Sequence, residues 1–441
     1  MDKTSLQPMA YVCVVSEYNL PELEACLTRR PTVAVLVVSR FIAGKGAHRR
    51  LQHSLEEQLP GVRVELLGEQ AGYPLGGEDV LETSQWMNAV LLPRLQQADL
   101  ADLPHCLNFT GGTKAMIAAL LAGYRWPLLD YRALGSSELQ VLTSSPGTEA
   151  SAAAIRFQEQ PRLPLQGVAP RVIAGLYADN VRPGSLNPIL DEAQSLPLAR
   201  AIWQAQQESL PELRSLFQAL EKLWATGRDN PDWSCGRISL AWQDFLPDRG
   251  NQPTAGLLAW LEHFQPLDHS GTLRWDAQQI HLPGNQPRGR TGKHLRAWLC
   301  GDWLEQLAFA WLVEAGIPGA AIARNLLSGQ NSDSRTQREA DLLIHYRHRT
   351  NLIEVKAGLP PGHAPNELEI QVSSLGSRFG RTRKALLVSP QLQRQLQDTR
   401  RWDSFARRCQ ANEVALLASR EELLDFVGIH PEQPSTGLPG A

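Results

Sequence analysis

The chain has 441 residues, of which 43% are hydrophobic and 20% are charged, and its formal net charge is −3. This length and composition are typical of a globular protein of about three domains, and any contact with nucleic acid must come from local basic patches. Six scattered cysteines without a C-x-x-C pair argue against a zinc site and against disulfides. With no apolar run of roughly 18 residues and no signal-like N-terminus, we expect a cytoplasmic protein that makes no membrane contact.

The N-terminal part of the sequence alternates apolar strands with helices. Strands are predicted at 10–16, 32–39, 62–67 and 105–109, and helices at 21–28, 49–58, 78–96 and 114–124. Near-continuous apolar strands separated by helices indicate a doubly wound, mostly parallel α/β sheet. Ligands of such sheets bind at the carboxyl ends of the strands.

The turn between the last of these strands and its helix is rich in glycine and threonine. Its central positions are Thr110, Gly111, Gly112, Thr113 and Lys114. The glycines let the backbone approach a ligand, and free N–H groups at a helix start favour an anion. The motif is neither a P-loop nor the dinucleotide fingerprint. On these residues alone, an anion site and a tight turn with a threonine cap remain equal alternatives.

Two pairs of polar residues follow the first two strands. They are Ser16 and Glu17 after the first strand, and Ser39 and Arg40 after the second. Together with the N-F-T-G-G-T-K-A-M turn they resemble the CARF domain, over residues 8–145. The resemblance implies that residues 1–150 form a dimeric, Rossmann-like domain. Such a domain senses the cyclic oligoadenylates that are made in type III CRISPR defence. It also implies that both pairs and all five turn positions bind cyclic tetra-adenylate.

Residues 151–290 are predicted to form a linker and a connector. The proline-containing stretch 146–170 suits a linker. Helices are expected at 196–207, 211–226 and 254–264, a strand leading into a helix at 236–246, and a hairpin at 272–282. This pattern permits a helical, winged-helix-like module, and it equally permits an extension of the domain that follows. The tryptophans of this segment are expected in a core.

The C-terminal part centres on two aliphatic runs, 340–346 and 352–356, on either side of a basic segment. This pattern predicts a β-hairpin with a longer loop, with its turn centred between Arg347 and Arg349. The hairpin is the element around which the rest of this part is expected to be arranged.

Three charged side chains are expected together at one end of the hairpin. Glu354 and Lys356 share a face of their strand, and antiparallel pairing sets Asp341 on the same face. Glu339 is expected on the opposite face, either in solvent or paired with another charge. Because desolvated charges need partners, the sequence predicts a divalent cation such as Mg²⁺ here. Glu305, on a helix predicted at 301–312, can supply another oxygen.

An E-x-K tripeptide alone is common on solvated strands. With an aspartate on the preceding strand and an acid on the upstream helix, however, the residues resemble the PD-(D/E)xK nuclease superfamily. The resemblance implies a restriction-endonuclease-like α/β domain at 291–430 that holds Mg²⁺ or Mn²⁺ through Glu305, Asp341 and Glu354. The same three acids and Lys356 would be catalytic. The Gly-x-Trp-Leu-Glu helix start resembles the nuclease half of CRISPR-associated effectors that carry a nucleotide-sensing domain.

The remaining elements complete an α/β unit. Helices are predicted at 366–375, 391–410 and 420–427, strands at 385–389 and 414–417, and a disordered tail at 431–441. Gln371 is expected near the metal. Three basic segments stand out, at 45–50, 288–296 and 378–384. The last two flank the nuclease motif, where contacts to substrate phosphates are wanted.

Together the two motifs predict a homodimeric, cyclic tetra-adenylate-activated, metal-dependent endonuclease of type III CRISPR antiviral defence. Its substrate would be DNA, RNA or both, because chemistry directed at phosphates does not read bases. Two alternatives stay open. One is a restriction- or repair-type nuclease that cyclic oligoadenylate does not control. The other is a non-catalytic, nucleotide-sensing regulator with a retired nuclease fold.

Overall fold

The structure is a computed structural model of the chain. It describes residues 5–69, 74–146, 155–184, 192–208, 215–216, 237–244, 246, 255–262, 274–276, 278–283, 298–329, 338–358, 365–376 and 379–430. The strands form three sheets, of seven, three and six strands. No helix among these residues is long and apolar enough to cross a membrane.

The first sheet alternates strands and helices as the sequence predicts. Its elements are β1 Gln7–Val14, α1 Leu20–Arg29, β2 Pro31–Val37, α2 Arg40–Lys45, α3 Ala47–Gln58, β3 Arg63–Leu67, α4 Val80–Trp86, α5 Leu92–Leu95, α6 Ala98–Ala101, β4 His105–Asn108, α7 Lys114–Gly123, β5 Leu128–Tyr131, β6 Glu138–Pro146 and β7 Ile155–Pro164. The strand order is β3-β2-β1-β4-β5-β6-β7. The first five strands in this order, β3-β2-β1-β4-β5, pair in parallel. Strands β6 and β7 add to the β5 edge in antiparallel pairing.

The side chains of the central strand β1 alternate between two hydrophobic cores, one on each face of the sheet. Tyr11 and Cys13 enter the core that contains residues of α1 and α3, while Val12 and Val14 enter the core on the opposite face. Strand β1 lies between β2 and β4, so the chain reverses its direction of winding at β1 and β4. The crevice at such a switch point is where parallel sheets bind ligands.

Two expectations for this region are wrong in detail. The stretch 146–170 is not simply a linker, because β7 pairs with β6 and extends the first sheet beyond residue 150. Helix α8, Pro170–Tyr177, follows it and packs against α3. The helix predicted at 78–96 is interrupted by a π-helix at Met87–Leu91, which sequence periodicity does not reveal. The division into domains stays a prediction.

The middle of the chain contributes to the same core as the last sheet. Its elements are β8 Arg182–Pro183, α9 Glu192–Gln207, β9 Arg237–Ala241, a 3₁₀ turn Trp242–Asp244, α10 Ala255–Glu262, β10 Arg274–Trp275 and β11 Gln279–Pro283. The predicted hairpin is confirmed as β10–β11, and the three-stranded sheet has the order β10-β11-β9. Buried Trp203 and Trp242 share a core with Leu304 and Leu342, which favours an extension of the last domain. The helix predicted at 211–226 lies almost wholly outside the described residues.

The third sheet is mixed, with the order β16-β15-β14-β13-β12-β8. Its elements are a π-helix Trp298–Asp302, α11 Trp303–Glu314, a 3₁₀ turn Gly319–Ala321, β12 Ile322–Ser328, β13 Arg338–Tyr346, β14 Arg349–Lys356, α12 Pro365–Gly376, β15 Arg383–Val388, α13 Pro390–Asp398, α14 Trp402–Ala411, β16 Val414–Leu417 and α15 Arg420–Val427. Strands β14, β15 and β16 are parallel, and the others pair antiparallel. The helix predicted at 391–410 is two helices, and the tail 431–441 lies outside the described residues.

The β13–β14 hairpin is tighter than predicted. Only Arg347 and His348 lie between the strands, with φ angles of 49° and 58°. Two positive φ angles match the two-residue turn that best fits the twist of a hairpin. The longer loop expected from the sequence is therefore wrong. The tight turn could not be recognised in the sequence, because neither Arg347 nor His348 is one of the residues, such as glycine or asparagine, that usually mark it.

Candidate functional site

The end of the hairpin away from its turn gathers the predicted catalytic charges. The Lys356 ammonium lies 2.7 Å from Glu354 Oε1 and 3.4 Å from Asp341 Oδ2. The Val355 N–H donates to the same Asp341 oxygen at 2.8 Å. One ammonium contacting both carboxylates confirms that all three side chains lie on one side of the sheet.

Glu354 is almost completely enclosed, with 1% of its surface exposed. Its Oε1 accepts a hydrogen bond from Gln371 Nε2 at 2.8 Å, which places Gln371 beside the predicted metal ligands. Its Oε2 is buried and has no hydrogen-bond partner among the residues that the structure describes. Burial and the charge of Asp341 raise the pKa of Glu354 to about 7. Although burial acts against it, the two carboxylates raise the pKa of Lys356.

Two more acids add negative charge at this end. Glu305 stands in the first turn of α11, and burial together with Asp341 and Asp302 raises its pKa well above the usual value. Burial and Asp341 also raise the pKa of Glu339. The expectation that Glu339 points to the opposite face is wrong, because residues two apart on a strand share a face. Glu339 is nevertheless exposed, as expected.

The acids fit a hard divalent cation by their chemistry. Crowded carboxylates with raised pKa values and a buried, unpartnered oxygen on Glu354 leave negative charge that a cation would neutralise. In the described part of the chain, however, the potential ligand group whose atoms all lie within 4.8 Å of one another is Glu24, His345 and His348. The predicted acids are thus near one another but are not drawn together around a single point.

The glycine-rich turn lies at the switch point of the first sheet. The hydroxyl of Thr113 caps α7 by accepting from Met116 N at 3.1 Å, and it also bonds the carbonyl of Gly77. Gly112 has a φ of 82°, and a Cβ there would collide with Val14. A Cβ on Gly111 would collide with Glu22. The structure therefore shows the tight turn with a threonine cap. Glycine is required at both positions, because neighbouring atoms leave no room for a Cβ.

Some of the residues predicted to bind the cyclic nucleotide line a cavity, and the others lie outside it. Ser16, Thr110, Gly111 and Gly112 line a cavity of about 580 Å³. The others lie at the same edge of the sheet but outside that cavity. Ser39 caps α2 through Ile42 N, Glu17 pairs with Lys45, Thr113 caps α7, and Arg40 and Lys114 are exposed.

Sequence reasoning missed a buried ionic cluster that joins the two large sheets. Glu24 of α1 lies 2.8 Å from Arg132 Nη2, 2.8 Å from His348 Nδ1 and 3.3 Å from His345 Nε2. Although burial opposes it, the two histidines and Arg132 lower the pKa of Glu24. Because Arg132 already neutralises Glu24, we interpret this group as an ion-pair cluster and not as a metal site.

The signals for this cluster were weak. Glu24 lies in a helix whose other inward residues are mostly apolar, and two histidines near a hairpin turn are usually solvated. Their pairing depends on contacts between residues that are far apart in sequence, for which one sequence carries no local pattern. Glu22 was missed for the same reason.

Comparisons with known proteins find similarity in structure but not in sequence. Neither family models nor curated proteins match the sequence. Solved structures do match, and two of them share the fold along 95% of this chain. The crystal structure of protein VC1899 from Vibrio cholerae is 14% identical, with a TM-score of 0.66, and the match covers 95% of this chain and 96% of that one.

The second similar structure is Can2 from Sulfobacillus thermosulfidooxidans in complex with cyclic tetra-adenylate. It is 15% identical, with a TM-score of 0.61, and the match again covers 95% of this chain and 96% of that one. These similarities show that the chain shares the mixed α/β fold of both structures over nearly its full length.

Proposed function

We propose that the protein is a homodimeric, cyclic tetra-adenylate-activated, metal-dependent endonuclease of type III CRISPR defence. In this proposal the first sheet is a CARF-type sensor, and the third sheet is a PD-(D/E)xK nuclease core. The observation that carries the nuclease half is the contact of one ammonium, that of Lys356, with both Asp341 and Glu354. The fold shared with a cyclic tetra-adenylate complex supports the sensor half.

Glu305, Asp341 and Glu354 would hold Mg²⁺ or Mn²⁺. When bound, such an ion supplies a nucleophilic water and neutralises charge on the phosphate. Lys356, held charged by its two carboxylates, would stabilise the additional negative charge of the transition state. Gln371 fixes the orientation of Glu354 through its hydrogen bond. DNA is the proposed substrate, with single-stranded RNA as the second candidate.

The sensor half would bind the activator at the switch point. The turn Thr110–Lys114 supplies backbone N–H groups and the Thr110 hydroxyl there, and exposed Lys114 and Arg40 add positive charge. A two-fold symmetric ring ligand on a dimer axis contacts both protomers equally. Its higher affinity for one arrangement of the dimer would then shift the nuclease halves.

The nuclease assignment is tested with full-length protein, Mn²⁺, cyclic tetra-adenylate, and plasmid DNA or single-stranded RNA. We expect cleavage by the wild type and a loss of at least about 100-fold in Asp341→Ala and Lys356→Ala. Both variants should still bind the activator. If the wild type cleaves neither substrate, the nuclease assignment is wrong. If both variants cleave at the wild-type rate, the assigned site is wrong.

A further inference from the structure

The cavity of about 580 Å³ lies between the two large sheets and has walls from both. Its volume is within the range of about 300–1,000 Å³ that small-molecule sites occupy. The sensor side contributes Ser16, Tyr18, Glu22 and the glycine-rich turn. The opposite side contributes the hairpin turn and the start of β15, with His348, Arg349, Arg381 and Arg383.

The arginines of the second wall carry charge that no described carboxylate neutralises through an ion pair. The Arg381 guanidinium lies over the ring of Tyr18, 4.9 Å from its centroid. Arg383 is fixed by a hydrogen bond from Nη1 to the carbonyl of Phe426 at 2.6 Å. Burial, and then the charge of Arg349, lowers the pKa of Arg383. Guanidinium groups placed this close together favour an anion between them.

Glu22 does not cancel this charge at neutral pH. It is 1% exposed, and no described residue forms a well-aligned hydrogen bond with either of its carboxylate oxygens. Burial raises its pKa to about 8, although its own backbone N–H and Arg132 act in the other direction. The cavity is therefore positively charged at pH 7.

Strand register places these arginines far from the catalytic charges. Parallel pairing sets Arg383 opposite Asn351 and Val388 opposite Lys356. Five residues of strand, or about 16 Å, thus separate Arg383 from the catalytic end of the sheet. The basic segment 378–384 was expected to contact substrate phosphates, but its described arginines face the sensor turn instead.

We infer that Arg349, Arg381 and Arg383 bind phosphates of the activating cyclic oligonucleotide, so that one ligand contacts the sensor turn and the nuclease sheet together. The identity of the ligand rests on the proposed function, whereas the anion site rests on the cavity and its charges. Arg349 is the first residue of β14, and Glu354 and Lys356 stand on the same strand. An anion bound at Arg349 therefore acts on the strand that carries two of the catalytic residues.

The test compares Arg349→Gln and Arg381→Gln with Arg347→Gln in the full-length protein. Arg347 is exposed in the same hairpin turn but does not line the cavity. Affinity for cyclic tetra-adenylate is measured by calorimetry at fixed ionic strength, and KM for nucleic acid is measured at saturating activator. We expect about 10-fold or greater loss of activator affinity in each cavity variant and none in Arg347→Gln.

Unchanged activator affinity in both cavity variants overturns the inference, and a raised KM for nucleic acid in that case assigns the arginines to the substrate. If the wild type does not bind cyclic tetra-adenylate, the proposed activator is wrong, and inorganic tripolyphosphate becomes the probe. A rise in melting temperature with tripolyphosphate that is lost in Arg381→Gln would still support the anion site. No rise in the wild type would overturn it.

Discussion

The Nδ1 atom of His348 lies 2.8 Å from Glu24 Oε1, although 324 positions separate the two residues in the sequence. His348 stands in the turn of the β13–β14 hairpin, and Glu24 stands on α1, which packs on the first sheet. The same hairpin carries Asp341, Glu354 and Lys356 at its other end. Six residues of strand, or about 20 Å, therefore connect this contact to the proposed catalytic carboxylate Glu354.

If Glu305, Asp341 and Glu354 hold a metal ion as proposed, binding of that ion should stabilise the protein. We expect Mn²⁺ to raise the melting temperature of the wild type, because a ligand at 100 times its Kd contributes about 2.7 kcal/mol. Glu354→Gln should abolish the rise, since the amide cannot replace the carboxylate. Glu421→Gln, an exposed carboxylate on α15, serves as the control and should keep it. An equal rise in Glu354→Gln would remove Glu354 from the metal site.

The buried carboxyl of Glu22 should make stability fall as pH rises. Its pKa is raised to about 8 by burial, so the folded state keeps a proton that the unfolded state releases above about pH 4.5. The resulting loss accumulates between these pH values and is complete above pH 8. Glu22→Gln should therefore melt at a higher temperature than the wild type at pH 8 and show a smaller difference at pH 5. Calorimetry that finds equal differences at both pH values would contradict this origin.

Removing the carboxylate of Glu24 should destabilise the contact between the two sheets. Arg132, whose side chain is 3% exposed, would be left without its partner, and breaking a buried ion pair costs about 3–5 kcal/mol. Glu24→Ala should lower the melting temperature by several degrees. A double-mutant cycle with His348→Ala should give an interaction energy of about 0.5–3 kcal/mol. Additive effects would show that the His348 contact contributes nothing.

The pKa of Glu24 also predicts the response to acid. Because that pKa is lowered, the stabilisation from Glu24 is present at neutral pH and is lost as the pH falls below about 4.5. In Glu24→Gln this loss should be absent. Melting temperatures measured from pH 6 to pH 3.5 should therefore converge for the wild type and the variant. Parallel curves would contradict the prediction.

The glycine-rich turn should tolerate no side chain at Gly112. Gly112→Ala combines a φ of 82° with a collision against Val14. Gly428→Ala provides a matched control, because its φ of 84° is similar but no atom of the described part of the chain lies within 4 Å of the added Cβ. We expect Gly428→Ala to cost about 1 kcal/mol, Gly112→Ala to cost more, and only Gly112→Ala to weaken activator binding. Equal losses of stability would show that the Val14 contact is unimportant.

Much of the architecture could be predicted because its signals are local. Apolar runs separated by helical segments indicate the parallel sheet, and an E-x-K strand next to an aspartate predicts the catalytic face. Lys356 does contact Asp341 and Glu354 as this reasoning requires. Glu339 lies two residues from Asp341 on the same strand, so the strand period by itself places both side chains on one face.

The features that could not be predicted depend on distant contacts. Strand β7 joins the first sheet, and the tryptophans Trp203 and Trp242 join the core of the third. The cluster around Glu24 exists only because one sheet packs against the turn of a hairpin in another. Arg381 and Arg383 lie in a basic segment that suggests contact with substrate, but strand register places Arg383 opposite Asn351, far from the proposed catalytic residue Lys356.

The most direct test of the account is the ratio of nucleic-acid cleavage rates with and without cyclic tetra-adenylate, measured in Mn²⁺ for the wild type and for Lys114→Ala. We expect the activator to raise the wild-type rate by at least about 5-fold, as a coupling free energy of about 1–3 kcal/mol would give. Lys114→Ala should need more activator to reach the same rate. Equal wild-type rates with and without saturating activator would contradict the coupling of a sensor to a nuclease in this chain.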